Sequence, residues 1–153
     1  MAGFTIIEMM VTVVIISILA TVALPMAEVA VRRNKEQELR QALRQIREAL
    51  DDYREAVDEG RIEKVAGASG YPPHLQTLVS GVADASSPER ARLFFLRRVP
   101  RDPFADQSGT PESTWGLRSY ESTAENPKPG RDVYDVYSLS DQIGLNGIPY
   151  REW

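Results

Sequence analysis

Cysteine is absent from all 153 residues. A disulfide framework, a thiol nucleophile and a thiolate metal site are therefore excluded. Histidine occurs once, as His74, which excludes a multi-histidine metal centre and a histidine-pair mechanism. Positive charge is not in excess: 18 Lys and Arg stand against 22 Asp and Glu, for a net charge of −4. A general nucleic-acid binder would show a dominant basic face, so no nucleic-acid partner is expected. A phosphate cradle is also missing, because "GASG" (67–70) is not followed by the Lys and helix that such a loop needs. His74 has no Ser or Asp at a spacing that suggests a triad. Asp51, Asp52, Glu55 and Asp58 fall on a helical pattern, mostly on its polar side, as a solvated face does and an acid/base pair does not. The expectation is a protein without catalysis.

Charge is nearly missing from one place in particular. Residues 4–24 carry a single ionisable side chain, Glu8, in "FTIIEMMVTVVIISILATVAL". As a helix these residues are ~31 Å long, close to the ~30 Å hydrocarbon core of a bilayer. Helix is the state that satisfies the backbone in lipid, and the hydroxyls of Thr12, Ser17 and Thr21 can return to helix carbonyls. A cleaved secretory signal peptide needs a basic leading region and a small-x-small cut site. Here only "MAG" precedes, and Pro25 spoils the best cut. A plain membrane anchor accounts for the length but not for Glu8, since an acidic side chain inside a span is costly and points to a partner.

The stretch "GFTIIEMM" resembles the class III signal of type IV pilins and type II secretion pseudopilins. The resemblance implies cleavage by a prepilin peptidase between Gly3 and Phe4, methylation of the new Phe4 amine, and an assembly role for Glu8, the fifth residue from the cut. Pro25 is the twenty-second. A freed Phe4 ammonium on one subunit would face the Glu8 carboxylate of a neighbour in a low-dielectric filament core. Such a pair sets register, as a buried polar group does in a coiled coil. Pro25 removes one helix hydrogen bond and permits a kink or local melting. "MAG" lacks the Lys or Arg usual in such leaders, whereas Arg32, Arg33 and Lys35 follow the span. The positive-inside rule alone would orient the chain the other way. Either the start lies upstream of Met1 or the insertion machinery sets orientation.

Residues 36–59 continue as an amphipathic helix. Leu39, Leu43, Ile46, Leu50, Tyr53 and Val57, flanked by Ala42, Ala49 and Ala56, form a stripe of period 3.6. Glu36 and Arg40 stand in the favourable i,i+4 order, and Gly60 is the stop signal. Arg32–Lys35 reads as a solvated face or a subunit contact. Beyond it, "YPPHLQTLVSG" (71–81) predicts a turn and a short helix ending near Gly81. "SPERARLFFLRRVP" (87–100) predicts a second helix capped by Ser87 with Pro88 at its first position, with Leu93, Phe94, Phe95, Leu96 and Val99 supplying core. "WGLRSY" (115–120) and "DVYDVYSLS" (132–140) alternate and predict two antiparallel strands. The C-terminal "DQIGLNGIPYREW" predicts an ordered loop pinned by Tyr150 and Trp153.

The expected fold is thus α+β: one long N-terminal helix, half hydrophobic and half amphipathic, on a small antiparallel sheet with a long C-terminal loop. The expected divisions are a leader (1–3), a membrane or filament-core helix (4–25), an amphipathic half (26–60) and a periplasmic head (61–153). The order Tyr–Pro, "RRVPRDPF" (97–104), strands, "DVYSLSDQIGLNG" is similar to that of type II secretion major pseudopilins, most specifically at 3–25, 97–104 and 133–147. That resemblance implies a subunit of a homopolymeric pseudopilus acting as a piston for export of folded proteins. It implies storage in membrane lipid of the inner membrane, head in the periplasm. Its implied partners are minor pseudopilins, a prepilin peptidase and an assembly platform with a separate ATPase. It also makes Asp141 and the Leu139 carbonyl the candidate calcium ligands. Calcium takes six to eight oxygens, and after Asp141 the loop offers only Asn146 and Glu152. No resident metal is therefore the favoured reading, with Asp141 and Asn146 bonding their own loop. The alternatives are a type IV pilus subunit, a minor pilin-like protein, or a single-span anchored binding domain.

Overall fold

A computed structural model describes residues 5–89, 91–106 and 108–153. The Gly3–Phe4 bond, the expected processing point, lies outside the described residues. The chain divides into two units, Met1–Glu36 and Gln37–Trp153. Helix α1, Ile6–Asp58, contributes to both and carries Pro25 in its interior.

In the second unit the predicted stripe is the core. Leu39, Leu43, Ile46, Leu50, Tyr53 and Val57 are all buried, as are Ala42, Ala49 and Ala56. A helix buries one stripe of this width when a second layer covers it. Leu75, Leu78, Leu96, Val99, Trp115, Val133, Val136 and Tyr150 supply that layer. α1 ends as the sequence predicts. Gly60 adopts φ +74, its N–H donates to the Val57 carbonyl (3.1 Å), and the Arg61 N–H donates to the Ala56 carbonyl (2.9 Å). This is the paired 5→2 and 6→1 closure of a Schellman motif, which favours glycine at the left-handed position.

Helix α2 spans Leu75–Ser80, with exposed His74 ahead of it and Gly81 behind it. The helix predicted after Ser87 does not form. Strand β1 (Val82–Ala83) pairs antiparallel with β2 (Arg92–Leu93), and Ser87 Oγ accepts from the Ala91 N–H across a turn (3.4 Å). The cause is the unbroken apolar run 93–96, which no single helix face could bury. In the form it takes, Leu96 is buried and Leu93 and Phe95 pack against the core. Phe95 packs edge-on against Tyr53 with ring centroids 5.4 Å apart, and the Phe95 and Leu96 N–H groups both donate to the Leu78 carbonyl. Phe94, expected in the core, is instead 63% exposed, lying over Gly81 where a Cβ would meet its ring at 2.8 Å.

The predicted strand pair forms as β3 (Trp115–Arg118) and β4 (Asp135–Ser138), antiparallel, with Gly116 opposite Tyr137 and Leu117 opposite Val136. The Tyr137 ring occupies the space over Gly116: a Cβ there would sit 2.3 Å from ring carbons. Short helical turns over Pro111–Thr114 and Tyr150–Glu152 precede β3 and close the chain.

Candidate functional site: an exposed apolar helix and an anchored C-terminal loop

The first unit presents apolar side chains outward. Ile6, Ile7, Met9, Met10, Val11, Val13, Val14, Ile15, Ile16, Ile18 and Leu19 are all exposed. No part of the most hydrophobic window of α1 is buried within the chain, and α1 is the one described helix long and apolar enough to cross a membrane. A soluble helix would hide such a surface. The polar side chains of this segment are satisfied internally. Thr12 Oγ1 donates to the Met9 carbonyl (2.8 Å), Ser17 Oγ to Val13 (2.7 Å) and Thr21 Oγ1 to Ile18 (2.7 Å). Each hydroxyl therefore enters an apolar medium without a dangling donor.

Glu8 stands in the first turn of α1. Its N–H donates to Thr5 Oγ1 (3.3 Å), and the Met9 N–H donates to the Thr5 carbonyl (3.1 Å). Thr5 thus takes up a backbone donor that the helix start leaves over. The Glu8 side chain is exposed and has no ion-pair partner among the described residues. A carboxylate in an otherwise apolar surface is costly in lipid unless a cation meets it.

In the second unit the C-terminal loop is tied down at several points. Tyr150 is fully buried, stacks on Phe104 with centroids 4.1 Å apart and meets Trp153 edge-on at 4.9 Å. Arg40 lies 4.3 Å over the Trp153 ring. Arg47 is a further anchor. Its Nε donates to Asp135 Oδ1 (2.8 Å), and its Nη2 to the Trp153 carbonyl (2.9 Å) and the Val136 carbonyl (3.3 Å). One α1 side chain therefore holds both β4 and the end of the loop. Asp102 is the second fixed point. It is fully buried and accepts from Ser138 Oγ (2.5 Å) and the Phe104 N–H (2.8 Å). Neither residue was singled out from the sequence. Asp102 sits between two prolines in "RRVPRDPF", where only tertiary packing could assign it a partner 36 residues away.

The candidate calcium ligands are not assembled. The Asp141 side chain is 97% exposed and pairs with Arg151 at 3.9 Å. Among the described residues no three His, Asp or Glu side chains converge on one point. This donor set does not fit a calcium ion, which needs several carboxylate oxygens at close range.

A helix long and apolar enough to cross a membrane, with one carboxylate in its first turn and a small α+β unit following in sequence, is a pilin-like arrangement. In keeping with that class, residues 1–24 match the family model described as the prokaryotic N-terminal methylation motif. Searches of curated proteins and of solved structures give no match.

Proposed function

We propose that the chain is a structural subunit of a type II secretion pseudopilus. It is processed at Gly3–Phe4, held in the inner membrane by α1 with its head in the periplasm, and polymerised through that helix into a filament that acts as a piston for folded proteins. The observation that carries this reading is the methylation motif over residues 1–24 on a helix whose most hydrophobic window is left uncovered by the rest of the chain. Cleavage would create an ammonium at Phe4, the cation that Glu8 needs. Two unit charges ~4 Å apart interact by about 4 kcal/mol at an effective dielectric constant near 20, enough to select one axial register over its neighbours. An ATPase on the assembly platform would supply the work.

Mass analysis of the N-terminus in membrane material tests the reading: methylated Phe4 is expected, and an intact Met1 in mature protein overturns it. Deleting the gene should abolish release of exported proteins while leaving surface pili and twitching intact. The reverse pattern would favour a type IV pilus subunit. Glu8→Ala should insert and be cut yet assemble poorly, and normal filaments from it would refute the charge-pair argument.

A further inference from the structure

The loop over residues 139–149 has no core of its own. Its four aliphatic side chains, Leu139, Ile143, Leu145 and Ile148, are 43–55% exposed, so burying them is not what orders it. The depression beside it is lined by both expected calcium ligands, Leu139 and Asp141, together with Glu125 and Glu152. The charges there oppose an ion. Arg151 lines the same depression, with its Nη1 at 3.9 Å from the Asp141 carboxylate. The Glu125 carboxyl is taken up by its own backbone N–H and by Thr123.

The oxygens of the loop are occupied from within. The Gln142 carbonyl accepts from the Tyr150 N–H (3.1 Å), the Gly144 carbonyl from the Gly147 N–H (2.9 Å) and the Ile148 carbonyl from the Gly144 N–H (2.8 Å). Asn146 Oδ1 accepts from the Ile148 N–H (3.1 Å). Calcium needs six to eight oxygens aimed at one point. Oxygens fixed on donors inside the loop cannot turn to such a point without breaking those bonds.

Trp153 stands where the loop needs support. Its ring fills the space at Gly144, where a Cβ would lie 2.6 Å from it, and its Nε1–H donates to the Ile148 carbonyl (3.2 Å). Arg40 lies 4.3 Å over that ring. Arg47 holds the Trp153 carbonyl (2.9 Å) while it also bonds Asp135 and Val136 of β4. Loop, β4 and α1 are therefore joined through one residue.

We propose that Trp153, fixed by Arg40 and Arg47, is the positioning residue that orders the loop in place of a metal ion, so that the head reaches its folded form without calcium. The inference does not depend on the polymer reading, because it holds for a single copy in detergent.

The test uses the full chain in detergent, with Tm and amide hydrogen exchange measured in calcium and in a chelator. The wild-type chain is expected to show the same Tm, and the same protection of the Gly144, Gly147, Ile148 and Tyr150 amides, in both. A lower Tm or weaker protection in chelator would overturn the proposal. Trp153→Ala should cut protection of those amides by about tenfold or more, as loss of a hydrogen bond and of ring packing would. The Ile46 and Leu50 amides in α1 should keep theirs, and calcium should not restore the loop. Unchanged loop protection, or recovery on adding calcium, would refute the clamp. Trp153→Phe keeps a ring against Gly144 and should regain most of the loss; a Phe variant as damaged as the Ala variant would rule out the ring as the organiser. Asp141→Ala gives an independent check that leaves the clamp intact. It should match wild type in Tm and protection, and a loss from it would restore Asp141 as a ligand and overturn the proposal.

Discussion

Asp102 is the most demanding polar group in the head, and its removal gives a sharp prediction. Its two oxygens accept from Ser138 Oγ (2.5 Å) and the Phe104 N–H (2.8 Å), and its own N–H donates to Thr114 Oγ1 (3.2 Å). Asp102→Ala deletes two acceptors. Taking a buried donor's acceptor away costs about 1–3 kcal/mol. Ser138 is fully buried and pays the upper part of that range, whereas half-buried Phe104 pays the lower part. The expected loss is about 3–4 kcal/mol, or roughly 6–16 °C in Tm for a chain of this size. Asp102→Asn keeps the volume and one acceptor, and should lose about 1–2 kcal/mol. Trp115 is a suitable reporter, because it is buried and its Nε1–H donates to the Pro100 carbonyl (2.8 Å) beside the same segment. Thermal unfolding of the full chain in detergent, followed by Trp fluorescence, measures the loss. Since the two side chains bond directly, Asp102→Ala with Ser138→Ala should be less harmful than the sum by about 0.5–3 kcal/mol. Additive effects, or an Asp102→Ala variant within 0.5 kcal/mol of wild type, would show that the pair does not hold β4 to the 100–104 segment.

Gly116→Ala should destabilise the head by about 1–3 kcal/mol through overpacking against Tyr137, and Tyr137→Ala in the same chain should recover most of it in the same unfolding assay. Gly60→Ala should cost about 1–2 kcal/mol through its left-handed backbone alone, since nothing lies within 4 Å of the new methyl; a clearly larger loss would refute backbone strain as the sole cause. Ser86, through its side chain and then its backbone, and Arg61 hold the Asp84 carboxyl below the ordinary carboxylate value. Its contribution to stability is therefore full above the ordinary pKa and disappears as pH falls through the folded one. Acid titration of Tm should show that decline, and Asp84→Asn should make it shallower; an unchanged slope would dismiss Asp84 as a contributor. Burial raises the Tyr71 hydroxyl above its usual value, so absorbance titration of the folded head should find a tyrosine ionising later than in unfolded chain.

The N-terminal half was legible because its constraints are local and repetitive. A run of apolar residues of membrane length with one carboxylate is recognisable within 25 residues, and the family match over residues 1–24 rests on the same stretch. The amphipathic stripe from Leu39 to Val57 was legible for a related reason, because helix geometry alone determines which side chains share a face. Segment 87–100 was not. Ser87 and Pro88 are good helix-start signals, but a cap contributes only about 1 kcal/mol, less than burying Leu96 and Val99 and seating Phe95 on Tyr53. Local preference lost to packing, and Phe94 turned outward as a consequence.

The residue pattern alone determined that this chain has an uncovered apolar helix, a polar-faced continuation of it and a small α+β head, because hydrophobic periodicity and backbone satisfaction depend on neighbours in sequence. Tertiary structure decided which polar groups hold the head together. Arg47 meets Asp135 and Trp153, and Asp102 meets Ser138, across separations of 36 to 106 residues. It also decided that Asp141 faces solvent beside Arg151 and that four aliphatic side chains stand out from a rigid loop. Long-range partners depend on how separate segments pack, and no spacing within a segment encodes that.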